Sequence, residues 1–145
     1  MANPLAVDFC GLNLSSPVVL LSGCVGFGEE YTRIDGFSNR DTGAIVLKGT
    51  TKEPRLGNPP HRLWETPEGM LNAIGLQNPG VDKVVDEILP ELDFSETRFF
   101  ANICGSTIEE YAEVTRRFHD SPVSYTHLRA HETRHDLVCR LLLEK

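Results

Sequence analysis

The stretch EGMLNAIGLQNPG, residues 68–80, carries two carboxamide side chains six positions apart, Asn72 and Asn78. Between and around them lie small and apolar residues: Gly69, Ala73, Ile74, Gly75, Leu76 and Gly80. A carboxamide can both donate and accept hydrogen bonds, and glycine lets the backbone come close to another group. Polar groups, flexible backbone and apolar contact within so short a span favour a loop that touches a ligand.

Polar or small residues also follow three short apolar runs. They are Ser22 and Cys24 after the first run, Lys48 and Gly49 after the second, and Asn102 near the end of the third. In parallel α/β folds, ligands bind at the carboxyl ends of the strands. Burying the charge of a lysine there costs free energy unless an anion or a carbonyl oxygen accepts a hydrogen bond from it. Lys48 therefore indicates an anionic or electron-rich ligand. The alternative is a lysine whose stem packs while its ammonium reaches water.

The three runs themselves predict buried parallel strands. Val18 to Leu21, Ala44 to Leu47 and Phe99 to Ile103 are apolar on both faces, which is typical of strands covered on both sides. Before them, LAVDFCGLNL predicts a short hairpin around Gly11.

Helices are expected between these strands. A short one is predicted near Glu29 to Ile34, and a longer one follows Pro79, with the apolar stripe Val81, Val84, Val85, Ile88 and Leu89. Asn78 occupies the expected N-cap position of that helix. The last helix is predicted to open with a capping box at Ser106 and Glu109. Its expected apolar stripe is Ile108, Tyr111, Ala112 and Phe118.

Alternation of strands and helices predicts an α/β fold with a parallel sheet. An open doubly wound sheet and a (β/α)₈ barrel both remain compatible with this order. A barrel needs about 250 residues, whereas the chain has 145 and supplies about three βα units. On the barrel interpretation the chain is therefore a partial barrel.

Composition excludes several classes of protein. The net charge of −7 argues against a nucleic-acid binder, which usually carries a basic stripe. No run of 18 apolar residues occurs, so no membrane span is expected, and the N-terminus does not resemble a secretory signal. The four cysteines lack CxxC spacing and are predicted to be free thiols in the cytoplasm.

Two further segments are rich in proline or glycine. The loop from Gly49 to Met70 is rich in proline, shows no helical or strand period, and is predicted to be a binding loop or, alternatively, a rigid crossover. The glycines Gly23, Gly26 and Gly28 are spaced GxxGxG, which differs from the dinucleotide fingerprint and predicts a plain tight turn.

Several motifs in order, SGCVGFGEEY, IVLKGTTKEPRLGNPPHRLWET, GMLNAIGLQNPG and ANICGS, resemble the dihydroorotate dehydrogenase family, specifically its class 1B, NAD-linked catalytic subunits. The resemblance covers about residues 5–122. It implies the N-terminal portion of a (β/α)₈ barrel, truncated after about three βα units, that binds FMN and oxidises dihydroorotate to orotate in pyrimidine (UMP) biosynthesis. Val25, where an aromatic residue is expected, and Gly49, where alanine is common, depart from the family pattern.

The resemblance also implies the roles of individual residues. Flavin contacts are expected from Ser22, Cys24, Lys48, Gly49 and Asn102. Substrate contacts are expected from Lys48, Asn72, Ala73, Ile74, Gly75, Leu76 and Asn78, although Asn78 can equally serve only as a helix cap. Carboxamides suit orotate, a flat ring with carbonyl and N–H groups.

The family's base is a cysteine in a motif after strand four that this sequence does not contain. Cys24 and Cys104 lie on the wrong strands to replace it, so no catalytic base is expected here and the chain itself is predicted to be inactive. An intact relative would act with a subunit that carries FAD and a 2Fe-2S cluster, as a homodimer within a heterotetramer. The alternatives are a dihydropyrimidine dehydrogenase-like flavin barrel and a non-catalytic ligand-binding α/β module.

Residues 123–145 break the pattern of the predicted domain, residues 1–122. They resemble translated sequencing-adapter read-through, and their composition permits a helix without functional meaning. The tail contains HETRH, an HExxH match with His131, Glu132 and His135. Only ten residues follow to supply a third ligand, so zinc catalysis is not expected.

Overall fold

A computed structural model of the protein describes residues 3–123 and the backbone of residues 125–128. Its centre is a four-stranded sheet in the order β3–β4–β7–β8. The strands are β3 Val19–Leu20, β4 Ala44–Val46, β7 Arg98–Ile103 and β8 Tyr125–Leu128. All three pairings are parallel, which confirms the predicted parallel α/β sheet.

Helical segments connect these strands. Two 3₁₀ turns, Tyr31–Arg33 and Asn39–Asp41, lie between β3 and β4. Helix α1 spans Val81–Lys83, continues as a π-helical turn over Val84–Ile88, and ends as a 3₁₀ turn over Leu89–Glu91. Pro90 explains the irregular end, because it has no N–H to donate and its ring conflicts with an α-helical carbonyl four residues earlier. Helix α2 spans Ile108–His119.

Three details of the helix predictions are wrong. The N-cap of α1 is Gly80 and not Asn78. The N-cap of α2 is Thr107, whose hydroxyl accepts from the Glu110 N–H, so the cap lies one residue later than predicted. Ile108 is consequently 77% exposed, and Val114 is buried in the stripe instead.

The sheet has two differently covered faces because successive strand residues point to opposite sides. Ile45, Phe99 and Ile103 face the helices and belong to a core that includes Val84, Val114 and Phe118. On the opposite face, Ala44 and Phe100 pack with Leu14. Two βα connections therefore cover one face, while the N-terminal hairpin covers the amino-terminal half of the other.

That hairpin pairs β1 Val7–Phe9 with β2 Leu12–Leu14 in antiparallel register. Its turn residues Cys10 and Gly11 have φ values of 53° and 80°, so the predicted hairpin around Gly11 is confirmed. A second hairpin was not predicted: β5 Leu63–Thr66 lies inside the segment expected to have no strand period and pairs with β6 Gly69–Asn72, which begins within that segment. Three of the prolines of that segment precede the hairpin and Pro67 lies in its turn, so none interrupts a strand. Their number was therefore misleading.

Two other expectations also need correction. Strand β3 lies at an edge of the described sheet, and the flanking Val18 and Leu21 are 51% and 62% exposed, so this run is not buried on both faces. Residues 125–128 form strand β8 beside β7, not a helix. The HExxH match at residues 131–135 lies outside the described residues. Within the described part, no helix is long and apolar enough to cross a membrane.

Candidate functional site

A cavity of about 840 Å³ lies at the carboxyl ends of β3 and β4. Its lining contains most of the predicted site residues: Ser22, Cys24, Lys48, Asn72, Ala73, Ile74, Gly75 and Leu76. Gly23, Arg55, Leu63 and Met70 complete it. Residues separated by up to about 50 positions along the chain thus converge at one edge of the sheet, as parallel strand polarity requires.

Lys48 occupies the centre of this edge. It lies two residues after β4, and its backbone N–H donates to the Gly26 carbonyl at 2.7 Å, which fixes the turn after β3 against the end of β4. The side chain is half-buried and lines both the main cavity and an adjacent cavity of about 510 Å³. Because the side chain lines both cavities, it can offer its ammonium group to an anion or a carbonyl oxygen there.

Ser22 and Gly49 join the ends of β3 and β4. The Gly49 N–H donates to Ser22 Oγ at 3.1 Å. A Cβ on Gly49 would lie 3.0 Å from Cys104 Sγ and 3.1 Å from Leu76 Cδ1, so the small residue allows a close approach of three segments. Gly49 does not line the cavity but packs directly behind it.

Asn102 carries an unused hydrogen-bond acceptor. The residue is only 3% exposed, and its Oδ1 has no hydrogen-bond partner. Its Nδ2 lies 3.5 Å from the position that a Gly49 Cβ would take, which places the carboxamide behind the end of β4. A buried acceptor without a partner is costly and calls for a donor such as a ligand N–H. Asn39 Oδ1 is also unpaired, and neither asparagine lines either cavity. Asn39 lies in the 3₁₀ turn before β4, at the amino-terminal end of the sheet, whereas Asn102 lies near the carboxyl end of β7.

The loop of residues 72–78 is held in place by the segment before the second hairpin. Asn58 Nδ2 donates to the Ala73 carbonyl at 2.8 Å, and the Asn58 N–H donates to the Ile74 carbonyl at 3.0 Å. Gly75 has a φ of 77°, and a Cβ there would lie 2.6 Å from the Asn58 nitrogen. Glycine is therefore required at this position both by conformation and by close approach.

Asn78 differs from the other predicted site residues. It is 5% exposed and lines only the smaller cavity, beside Lys48. Its Oδ1 accepts from the N–H groups of Thr51 and Gly80 at 3.1 and 3.0 Å. Its Nδ2 donates to Thr51 Oγ1 and to the Leu76 carbonyl at 3.0 and 2.9 Å. The side chain therefore already uses its hydrogen-bonding capacity within the protein.

Arg55 is the functional candidate that sequence reasoning missed. It lines both cavities, and one of its guanidinium nitrogens donates to Ser106 Oγ at 3.0 Å. Its backbone pairs with Asn78 in both directions, at 2.8 and 3.0 Å. The only available signal was a cationic residue in a loop already expected to bind a ligand.

The turn after β3 has no dinucleotide-binding geometry. Gly23, Gly26 and Gly28 all have positive φ, and the Gly28 N–H closes a turn on the Val25 carbonyl at 2.8 Å. The prediction of plain tight turns is confirmed. Among residues 3–123, no group of three potential metal ligands is present.

Charged pairs on the outer helices lie apart from the main cavity. A hydrogen bond from Lys52 to Glu113, at 2.8 Å, together with their charge attraction, raises the pKa of Lys52. Hydrogen bonds to Asp86 and Asp82 raise the pKa of Arg117. These pairs connect α1 and the end of β4 to α2 and bring no charge to the main cavity.

The fold and the position of the cavity define the class: a partial (β/α)₈ barrel with its site at the carboxyl ends of the strands. The sequence model of the family described as dihydroorotate dehydrogenase matches residues 4–129. The chain belongs to the dihydroorotate dehydrogenase family.

Individual relatives agree with this assignment. The chain is 55% identical over 120 residues to the protein named dihydroorotate dehydrogenase B (NAD(+)), catalytic subunit, of Geobacillus kaustophilus. It is 49% identical over 119 residues to the protein of the same name from Listeria welshimeri. These matches cover 83% and 82% of the chain and 38% of each relative. The chain thus spans about 38% of the length of the curated relatives it matches.

A solved structure supports the fold. The ligand-free dihydroorotate dehydrogenase of Eimeria tenella superposes with a TM-score of 0.63 at 21% identity, over 86% of this chain and 37% of that one. The sequence expectation of a partial (β/α)₈ barrel is confirmed. The family match reaches residue 129, beyond the boundary predicted at residue 122.

Proposed function

We propose that this chain forms part of a flavoenzyme that oxidises dihydroorotate to orotate in pyrimidine biosynthesis. The observation that carries the proposal is that Lys48 and Asn72 line one cavity at the carboxyl ends of the strands, and that the unpaired Asn102 Oδ1 lies near the carboxyl end of the neighbouring strand β7. Relatives named as catalytic subunits of dihydroorotate dehydrogenase B, up to 55% identical, support the same reaction.

The residues behind and around the cavity fit FMN. The buried Asn102 Oδ1 can accept from a ring N–H, and Ser22 and Lys48 line the cavity at the ends of the two neighbouring strands. Bound FMN would supply a hydride acceptor for the oxidation. We assign Ser22, Cys24, Lys48, Gly49 and Asn102 to flavin binding, in keeping with their positions at three adjacent strand ends.

The loop of residues 72–76 is assigned to the substrate. The exposed Asn72 carboxamide can both donate to a carbonyl and accept from an N–H of a pyrimidine ring. Ala73, Ile74, Gly75 and Leu76 shape the adjoining wall, and Lys48 neutralises negative charge on the substrate or on the reduced cofactor.

We further propose the context in which the intact enzyme acts. The relatives' name implies a partner subunit, and we infer one that carries FAD and a 2Fe-2S cluster, in a heterotetramer built on a homodimer. None of the three cysteines of the described part is in a disulfide bond, which supports a cytoplasmic location. The 145-residue chain by itself is expected to show no turnover, because the cysteine base implied by the family resemblance lies in a motif absent from the sequence.

Orotate binding by the full-length protein that contains this chain tests the proposal. Its flavin absorbance is expected to change on titration with orotate. Asn72→Ala is expected to raise the dissociation constant by about 5- to 100-fold, since one hydrogen bond to a polar ligand is lost. Asn13→Ala is the matched control, because Asn13 is an exposed carboxamide on the other hairpin, remote from the cavity; it should leave the constant unchanged.

Three results would contradict the proposal. A full-length protein without bound flavin would favour a non-catalytic binding module. Binding of an uncharged dihydropyrimidine in preference to orotate would favour an enzyme related to dihydropyrimidine dehydrogenase. Equal dissociation constants for orotate in Asn72→Ala and Asn13→Ala would show that the loop of residues 72–76 does not contact the substrate.

The origin of residues 123–145 is a separate proposal. We propose that they do not belong to the parent domain, since they resemble adapter read-through, and that the family match over residues 123–129 is only an extension of the match to the preceding domain. Sequencing the source locus past codon 122 tests this. A genomic sequence that encodes the same residues would overturn it.

A further inference from the structure

Thr51 and Asn78 form a buried hydrogen-bonded pair, called here the Thr51–Asn78 pair. They are 4% and 5% exposed. The Thr51 N–H donates to Asn78 Oδ1 at 3.1 Å, and Asn78 Nδ2 donates to Thr51 Oγ1 at 3.0 Å. The Thr51 hydroxyl in turn donates to the Glu53 carbonyl at 2.6 Å. Each side chain therefore fixes the orientation of the other.

The pair connects the two sets of groups that line the main cavity. Thr51 lies three residues after Lys48, in the segment that extends β4, and Asn78 lies two residues after Leu76. The Thr51 carbonyl also accepts from the Val81 N–H at 2.9 Å, which ties the start of α1 to the same point. The lysine and the substrate loop are thus joined by one local network.

Leu76 shows what the pair holds in place. Its φ of 55° lies in the left-handed region, which is unfavourable for a residue with a branched side chain. The Leu76 carbonyl accepts from Asn78 Nδ2 at 2.9 Å, so the pair stabilises this conformation. The Leu76 side chain then reaches the cavity wall beside Gly49.

We propose that Thr51, acting through Asn78, is a positioning residue for the substrate loop of residues 72–76. Asn78 itself acts from behind the loop, because both of its polar atoms are already engaged within the protein. The inference rests on the proposed function for its substrate, orotate, but the geometry of the pair is independent of that function.

Hydrogen exchange in the 145-residue chain tests the geometry. Thr51→Val keeps the shape of the side chain and removes the hydroxyl that accepts from Asn78. Exchange of backbone amides in residues 73–80 is expected to rise about fivefold, since one internal hydrogen bond is lost. Thr51→Ser should restore protection. Thr115→Val is the matched control, because the Thr115 hydroxyl bonds only a helix carbonyl of α2 at 2.7 Å.

Orotate binding by the full-length protein tests the functional part. Thr51→Val is expected to raise the dissociation constant about fivefold with unchanged flavin content, and Thr51→Ser to restore it. Circular dichroism checks folding. If Thr51→Val does not fold, Asn78→Asp, which removes the donors to Thr51 and Leu76, is expected to give the same exchange increase.

The possible outcomes separate the two proposals. Unchanged exchange and unchanged affinity in Thr51→Val would overturn the positioning role. Loss of orotate binding in Asn78→Asp with none in Thr51→Val would mean that Asn78 acts without Thr51, which also overturns it. If the unaltered full-length protein fails to bind orotate, the proposed function fails, while the exchange experiment still decides the role of the pair.

Discussion

The two hairpins of this protein have similar lengths but opposite relations to its core. In β1–β2, Leu14 is 2% exposed and packs with Ala44 and Phe100 beneath the sheet. In β5–β6, Leu71 and Trp64 are 66% and 67% exposed, although their strands are equally regular. One hairpin closes the amino-terminal end of the sheet, and the other borders the cavity at the opposite end.

This difference separates stability from binding within one small fold. The amino-terminal end is closed by apolar packing and by a buried hydroxyl group, since Thr97 Oγ1 donates to the Thr42 carbonyl at 3.0 Å. The carboxyl-terminal end keeps a half-buried lysine and a buried carboxamide oxygen without a partner. In α/β barrels the carboxyl ends of the strands carry the chemistry and the amino ends mainly stability.

The largest expected effect compares the same substitution in the two hairpins. Leu14→Ala should lower the free energy of unfolding by about 2–5 kcal/mol, because it leaves a cavity in a packed cluster. Leu71→Ala should change it by less than about 0.5 kcal/mol, because the side chain is mostly exposed. Urea unfolding of the 145-residue chain measures both values. Similar losses for the two variants would show that the second hairpin is also packed against the core.

A second comparison uses two glycines with almost the same backbone conformation. Gly11 in the first hairpin has a φ of 80° with open space around its Cα, and Gly75 beside the second has a φ of 77° and closely approaches Asn58. Gly11→Ala should lower the free energy of unfolding by about 1–2 kcal/mol, because alanine disfavours the left-handed backbone conformation. Gly75→Ala should cost more and should increase amide exchange in residues 73–78. Equal free energies of unfolding for the two variants would show that Asn58 shifts to accommodate the added methyl group without loss of stability.

The smallest expected effect concerns the turn that leads into the amino-terminal end of β7. Hydrogen bonds from the Ser95 side chain and backbone lower the pKa of Asp93. A lowered pKa in the folded state contributes stability above the unfolded pKa of about 4, and this contribution is lost as the pH falls through the folded value. Asp93→Asn should therefore be slightly less stable than the unaltered chain at neutral pH and equal to it in acid. Thermal unfolding at both pH values checks this, and a difference that grows in acid would contradict it.

Much of the site was predictable because its residues fall directly after apolar runs. Ser22, Lys48 and Asn102 follow or end three strands, and parallel strand polarity alone brings such positions together. Arg55 was missed because it lies in an irregular segment, where no period relates position in the sequence to position in space. The second hairpin was missed because the prolines around Leu63–Thr66 dominate its composition.

The sequence alone determined the parallel sheet, the first hairpin and most of the side chains that line the main cavity, because these depend on local periodicity and on strand polarity. Only the tertiary structure decided which of those side chains remain free to bind. Asn72, Asn78 and Asn102 are the same residue type, yet one is exposed, one is saturated by Thr51 and its neighbours, and one is buried with an unpaired oxygen. Hydrogen-bond saturation depends on contacts between distant segments, which no spacing along the chain encodes.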